Sequence, residues 1–273
     1  MLTKVEVRNP AGALLTLLLD DITDGYVLRN IDGIDPVQAT IVSSEFASLD
    51  GVQYQTSRRN SRNIILTLGL EPDYATGSVR ALRSALYAWF MTKASVNLRF
   101  YDSDGTIVAI DGYVETYETP FFVQEPVATI SIICPDPDFV ELTAVTGSGN
   151  TVSDTTEFSF TYNGTVEAGI VFDLLLDRTL AGFTIYHRPP DNIVRQFDFI
   201  ASMLNADVVT VNTNVGAKAV TLTRSSVQSS FLYGRQPNSA WFLLQPGVNY
   251  FRFYATGAAI PFNYSFLERH GGL

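Results

Sequence analysis

Apolar and polar residues alternate with a period of two along most of this 273-residue chain, the pattern of β-strands with one face in a core and the other in water. In the first half "LTKVEV" and "ALLTLLL" flank "RNPAG", whose proline and glycine predict a hairpin. "NIILTLGL", "VNLRFYD" and "TIVAIDGYVETYE" continue the series, and Asp104-Gly105 between the last two supplies the positive φ that a tight hairpin prefers. "VATISIICPDPDF" closes the set, because Pro135 and Pro137 cannot extend a ladder beyond Cys134. One segment has a helical period instead. From Ser78 to Met91, Val79, Leu82, Leu86, Trp89 and Phe90 form one stripe behind a Ser78 N-cap, with Arg80, Arg83 and Tyr87 on the opposite side.

The second half predicts strands and turns alone. "FSFTYNGTVEAGIVFDLLL", "GFTIYHR", "IVRQFDFI", "DVVTVNT", "KAVTLTR", "WFLLQPGVNYFRFYATG" and "PFNYSFLERHGGL" give about seven strands at short spacing, which indicates a β-sandwich. Between the halves, "TAVTGSGNTVSDTTE" is rich in Ser, Thr, Gly and Asn and marks a boundary or loop near residues 140 to 155. The expected division is a β-rich domain with one helix at 1–140 and a sandwich at 141–273. The length fits two cores better than one.

Composition then removes function classes. An apolar content of 46% excludes a disordered chain. No run approaches the roughly 18 apolar residues of a membrane span, so no membrane insertion is expected, and "MLTKVEVRNPAG" has no secretion-signal pattern. A single cysteine, Cys134, rules out an internal disulfide and a thiolate-rich metal site and suits a reducing compartment. His187 and His270 have no HExxH context and are expected to be ordinary surface or loop residues. Asp136 and Asp138 in "CPDPDF" read as a proline-bounded turn before they read as a cation or acid–base site. "DSDG" opens like a calcium loop but has Tyr113 where the twelfth-position glutamate belongs, and the serines of "RSSVQSS" lack a GxSxG setting. No catalytic residue, metal site or cofactor is predicted. In "SAWFLLQPGVNYFRFY", Trp241, Phe242, Tyr250, Phe251, Phe253 and Tyr254 suggest a sugar-stacking face, although alternation sends part of this set into the core.

Charge changes the picture most. The net charge is −10, yet residues 51 to 100 carry seven bases against two acids. Residues 1 to 50 carry three bases and eight acids, and 101 to 140 carry eight acids and no base. Arg58, Arg59 and Arg62 crowd into five positions before "NIILTLGL", and Arg80 and Arg83 follow on the helix. Arginine outnumbers lysine 15 to 3, and its planar fork suits paired contacts at interfaces.

The order of these parts resembles the distal tail protein (Dit) family of long-tailed, non-contractile bacteriophages. The likeness rests on "YVLRNIDGID", "LDGVQYQTSRRNSRNIILTLGL", "LRSALYAWF" and "CPDPDF" in the first half. In the second it rests on "YNGTVEAGIVFDLLL", "ADVVTVNT", "SAWFLLQPGVNYFRF" and "YSFLERHGGL", so that it covers essentially the whole chain. The resemblance implies an N-terminal β-sandwich-like domain with a helix and a belt extension, and a C-terminal galectin-like β-sandwich. It implies a homo-oligomeric ring, commonly a hexamer and in some cases stacked, that joins the tail tube protein to tail-tip or baseplate proteins and lets DNA pass through its bore. It also implies a place at the distal end of the virion tail, synthesis in the host bacterial cytoplasm, no cofactor and no catalysis. The second domain, about 120 to 130 residues, leaves no room for a long inserted sugar-binding module.

Within that frame the five arginines have three readings. They face acids such as Asp102, Asp104, Glu115 or Glu118 across a head-to-tail interface or within the subunit; they line the bore; or they form a solvated loop that protects a sheet edge. For the whole chain the alternative to a structural hub is a carbohydrate-binding β-sandwich adhesin that contacts the host cell surface. A glycosidase on a β-sandwich ranks behind both, because the acids of the second half are scattered.

Overall fold

The computed structural model describes residues 1–19, 21–47, 50–120, 123–150, 156–257 and 259–273. The chain divides into two units, Met1–Leu142 with His270–Leu273, and Thr143–Arg269. The last four residues thus depart from the expected 141–273 assignment. Their contacts explain why: Leu273 N donates to Ile34 O at 3.0 Å, and His270 Nε2 lies 2.9 Å from Glu141 Oε1.

In the first unit the strands are β1 (Leu2–Arg8), β2 (Leu14–Leu18), β3 (Tyr26–Asp32), β4 (Ala39–Glu45), β5 (Val52–Arg59), β6 (Arg62–Leu70), β7 (Ser95–Asp102), β8 (Ile107–Glu118), β9 (Val127–Cys134) and β10 (Phe139–Glu141), with the helix α1 (Val79–Phe90) between β6 and β7. One sheet follows the path β2-β1-β7-β8-β9-β6-β3, and β10 pairs with β8. Neighbours on this path run antiparallel, so inward residues alternate along each strand. Val5 and Val7, Leu15 and Leu17, Ile64, Leu66 and Leu68, Leu98 and Phe100, and Ile130 and Ile132 all enter a single core. One sheet face can line a single core from its first strand to its last only by bending over it, in the manner of a sandwich. The predicted helix closes this core. Ser78 Oγ accepts from Ala81 N at 3.2 Å as its N-cap, Leu86 and Phe90 are fully buried, and Val79, Leu82 and Trp89 pack partly against the same cluster.

β4 and β5 stand apart as a two-stranded ribbon, in register from Ala39↔Arg59 to Glu45↔Val52. All eight residues of β5 are exposed, and no residue of β4 is buried. This arm occupies the place of the belt extension that the resemblance implies.

The second unit is a two-sheet sandwich. Its strands are β11 (Val145–Asn150), β12 (Phe158–Tyr162), β13 (Val171–Leu175), β14 (Leu180–Arg188), β15 (Arg195–Met203), β16 (Val208–Asn212), β17 (Ala219–Arg224), β18 (Val227–Ser230), β19 (Gly247–Tyr254) and β20 (Pro261–Phe266). They form sheets of order β11-β20-β13-β16-β17-β18 and β12-β19-β14-β15. Rings fill the space between them: Phe172, Phe197, Phe199, Phe242, Phe251 and Phe262 are at most 1% exposed.

Three expectations need correction here. The low-complexity stretch is a strand over Val145–Asn150, paired with β20; 151–155 lie outside the described residues. Its glycines are required by aromatic neighbours, since a Cβ on Gly147 would lie 2.4 Å from the Tyr264 ring and one on Gly149 2.7 Å from that of Phe262. Trp241–Leu244 is not part of a strand, and β19 begins only at Gly247. His187 is no surface residue. It is fully buried, stacked on Phe251 at 4.4 Å, with Nε2 3.0 Å from Asn249 Oδ1. It occupies the inward parity of β14 with Phe183 and Ile185.

Burial pulls the His187 pKa from 6.5 down to about 4, against a smaller opposing effect of the Asn249 hydrogen bond. The folded state therefore excludes a proton that the unfolded chain accepts below about pH 6.5. Stability of the second unit is expected to be unaffected by this group above pH 6.5 and to fall by about 3 kcal/mol as pH drops to about 4. Denaturant titrations across that range should show the loss in the wild type and a flatter curve for His187→Gln; equal slopes would contradict the assignment.

Candidate functional site

The five arginines picked out by charge separate into distinct environments. Arg62, the first residue of β6, is 1% exposed. Its Nε donates to Pro137 O at 2.7 Å, Nη1 to Gly33 O at 2.5 Å and Asp35 O at 2.7 Å, and Nη2 to Gly271 O at 2.6 Å. Its guanidinium carbon sits 4.3 Å from the centre of the Phe139 ring. Burial lowers the Arg62 pKa, with nearby Cys134 and Asp138 opposing the shift; a guanidinium nonetheless stays charged, and the four carbonyls take the place of its hydration.

Arg59, at the end of β5, makes a two-pronged ion pair with Asp138, whose side chain is 3% exposed; the Nη2–Oδ2 arm is 3.0 Å. Asp138 N in turn approaches Asp136 Oδ1 at 3.2 Å, so "CPDPDF" is a turn that holds an arginine and not a free carboxylate pair.

These contacts converge on the two roots of the β4–β5 arm. One root is Gly33–Pro36, leading into β4, and the other is Arg59–Arg62, leading out of β5. Gly33 has φ +85°, and a Cβ there would lie 1.9 Å from Asn63 O, so only glycine permits the crossing. Asn60 N donates to Gln38 O at 3.1 Å, and Thr40 Oγ1 to Asn60 Oδ1 at 2.7 Å. The C-terminal residues complete the root through Gly271 O and through Leu273 N on Ile34 O.

Arg58 and Arg80 remain exposed, with no side-chain ion pair or hydrogen bond among the described residues. Arg80 and the half-buried Arg83 line a cavity of about 520 Å³ beside α1, together with Leu70, Tyr87, Pro120 and Pro126. Among the described residues its lining carries two arginines and no carboxylate, histidine or cysteine, so its charge suits an anionic side chain. The acids proposed as partners lie elsewhere: Asp102 pairs with the Met1 amino group, and Glu115 Oε2 accepts from Ser131 Oγ at 2.9 Å. The same-subunit pairing for Arg59 is therefore with Asp138, not with Asp102, Asp104, Glu115 or Glu118.

Charge counting missed the difference between Arg62 and its neighbours, although parity carries it. Arg62 shares the inward alternation of Ile64, Leu66 and Leu68. Replacing it with methionine removes four hydrogen bonds from a guanidinium that is 1% exposed and is expected to destabilise the first unit by about 3 kcal/mol, whereas Arg58→Ala should stay within about 0.5 kcal/mol. Chemical denaturation of both variants checks this, and similar stabilities would contradict the root geometry.

No family model matches the chain, and no curated protein matches it in sequence. Among solved structures, the Dit protein of phage SPP1 aligns over 97% of this chain and 98% of its own, with a TM-score of 0.71 at 15% identity. A chain of the phage P2 baseplate in its activated conformation with Ca aligns over 100% of both chains, but with a TM-score of 0.46 at 8% identity, too loose an overlap to build on. Over nearly its whole length this chain has the fold of the SPP1 Dit protein, as the distal-tail resemblance of its sequence implies.

Proposed function

We propose that the chain is a structural subunit of the tail tip of a long-tailed phage, a distal tail protein whose copies close head to tail into a ring. The observation that carries this reading is the shared fold, across both units, with SPP1 Dit, a protein described as a paradigm of the hub adsorption apparatus in phages that infect Gram-positive bacteria. The ring joins the tail tube to the tip proteins and leaves a bore through which DNA passes. Six copies is the number the resemblance implies. The protein is made in the host cytoplasm, acts at the distal end of the virion tail and performs no catalysis. No helix among the described residues is long and apolar enough to cross a membrane.

The arm supports the ring part of the reading. A two-stranded ribbon is at best marginally stable in water without a third element against one face. Here Ile41 is 65% exposed, Val52 60% and Tyr54 61%, so the arm offers apolar surface that this unit does not cover. A heterologous contact, arm of one copy on the body of the next, covers it and closes a ring when the rotation permits. Arg58, on the arm, and Arg80, beside α1, are the exposed arginines placed to meet acids of a neighbour, and such rim pairs set register more than affinity.

Light scattering of the purified protein tests this. The wild type is expected to run as a closed multimer. Ile41→Ser combined with Tyr54→Ser should run as a folded monomer that still unfolds cooperatively, since both side chains lie outside the core. A monomeric wild type at high concentration, or a double variant with the wild-type mass, would overturn the reading.

A further inference from the structure

The outward face of β12-β19-β14-β15 carries a second feature, unrelated to the arm. Cross-strand pairs set Tyr254 beside Thr184, Arg252 beside Tyr186 and Tyr250 beside Arg188. Two of these three tyrosines are covered: Arg252 lies 4.2 Å over the Tyr186 ring, and Arg188 lies 4.0 Å over that of Tyr250. Tyr254 is 44% exposed and has no such cap among the described residues.

A groove of about 460 Å³ opens beside Tyr254, within the range of small-ligand sites. Its polar lining is already ordered. Asp198 Oδ1 accepts from Thr184 Oγ1 at 2.8 Å and from Gln196 Nε2 at 2.7 Å, which fixes the carboxylate plane. The far wall, Gln236–Asn238, is held to β15 by Gln236 N on Asp198 O at 3.0 Å and by Ser239 Oγ, which accepts from Asp198 N at 2.8 Å and donates to Asp198 O at 2.7 Å. Asn238 stays exposed, its amide unbonded among the described residues.

The lining holds one carboxylate and no cation, so anionic ligands are repelled. The groups available are amides and hydroxyls that donate and accept, one fixed acceptor, and apolar surface from Tyr254, Ile200 and Pro237. A ligand that matches is neutral, bears hydroxyls on its rim and presents a C–H face to an aromatic ring. A polypeptide strand fits less well, because the outer edge of β15 is already occupied by the Phe199–Arg235 bridge and by Gln236 and Ala240 N–H groups bonded to Asp198 and Gln196 carbonyls. We propose that this groove binds a neutral saccharide, with the sugar ring stacked on Tyr254 and its hydroxyls on Asp198 and Asn238. The site is formed by the plain sandwich and needs no inserted module.

The full-length protein titrated with glucose, galactose, rhamnose, N-acetylglucosamine and their disaccharides, followed by calorimetry and ligand-observed NMR, tests the assignment. At least one is expected to saturate with a Kd on the order of 1 mM. Tyr254→Ala and Asn238→Ala should each weaken it about tenfold without shifting the melting temperature, because both side chains are exposed. Tyr250→Ala, beneath Arg188, should leave it unchanged. Absence of binding to every sugar, binding indifferent to Tyr254→Ala, or protection of the groove by a polypeptide in place of a sugar would overturn the proposal.

Discussion

A β-ribbon that buries neither face cannot hold its shape in water alone, and the first unit is organised around giving such a ribbon a rigid base. The arm leaves the body at Gly33–Pro36 and returns at Arg59–Arg62, and both crossings are tied to one guanidinium. Arg62 gathers carbonyls from the outgoing root, from the "CPDPDF" turn and from the chain's last residues. Arg59 adds a forked pair to buried Asp138 one step away. Four charge-assisted hydrogen bonds from one buried guanidinium are worth more than a surface ion pair, because removing the donor loses all four at once. The arm's orientation is thereby fixed even though its length is unsupported.

The opening puzzle of the sequence, a basic cluster in an acidic chain, resolves along the same line. Of the three clustered arginines, Arg62 is buried and Arg59, itself exposed, is tied to buried Asp138, and both root the arm. Arg58 is exposed and, like Arg80, makes no side-chain ion pair or hydrogen bond among the described residues. The second unit shows the complementary economy. Its core mixes phenylalanine rings with aliphatic side chains and one buried histidine held neutral by its surroundings, and its outward face uses tyrosine, arginine and amides. Core packing and the polar surface thus fall on opposite parities of the same strands.

Most of the fold was legible because the alternation was clean. The helix from Val79 to Phe90 with its Ser78 cap, the hairpin at Asp104-Gly105 and the end of β9 at Cys134 all follow from local rules that tertiary contacts did not override. The failures have particular causes. Val145–Asn150 has the composition of a linker, and only the Tyr264 and Phe262 rings lying over it explain why glycine can be a strand residue there. Arg62 and His187 were judged by residue type, although each sits on the inward parity of its strand, with Ile64 and Leu66 in one case and Phe183 and Ile185 in the other. A polar residue in phase with a core face is a buried group that must have partners. Which partners it has, such as Gly271 some two hundred residues away, is set by tertiary closure and is not written in any local window.

Hydrogen–deuterium exchange of the amides in residues 39–59, followed from dilute to concentrated protein, tests most directly whether the arm is completed by another copy. The account predicts strong protection that appears with concentration and disappears on dilution, while the amides of β6 and β9 stay protected throughout. Fast exchange across the arm at every concentration would contradict it, as would protection already complete in a monomer.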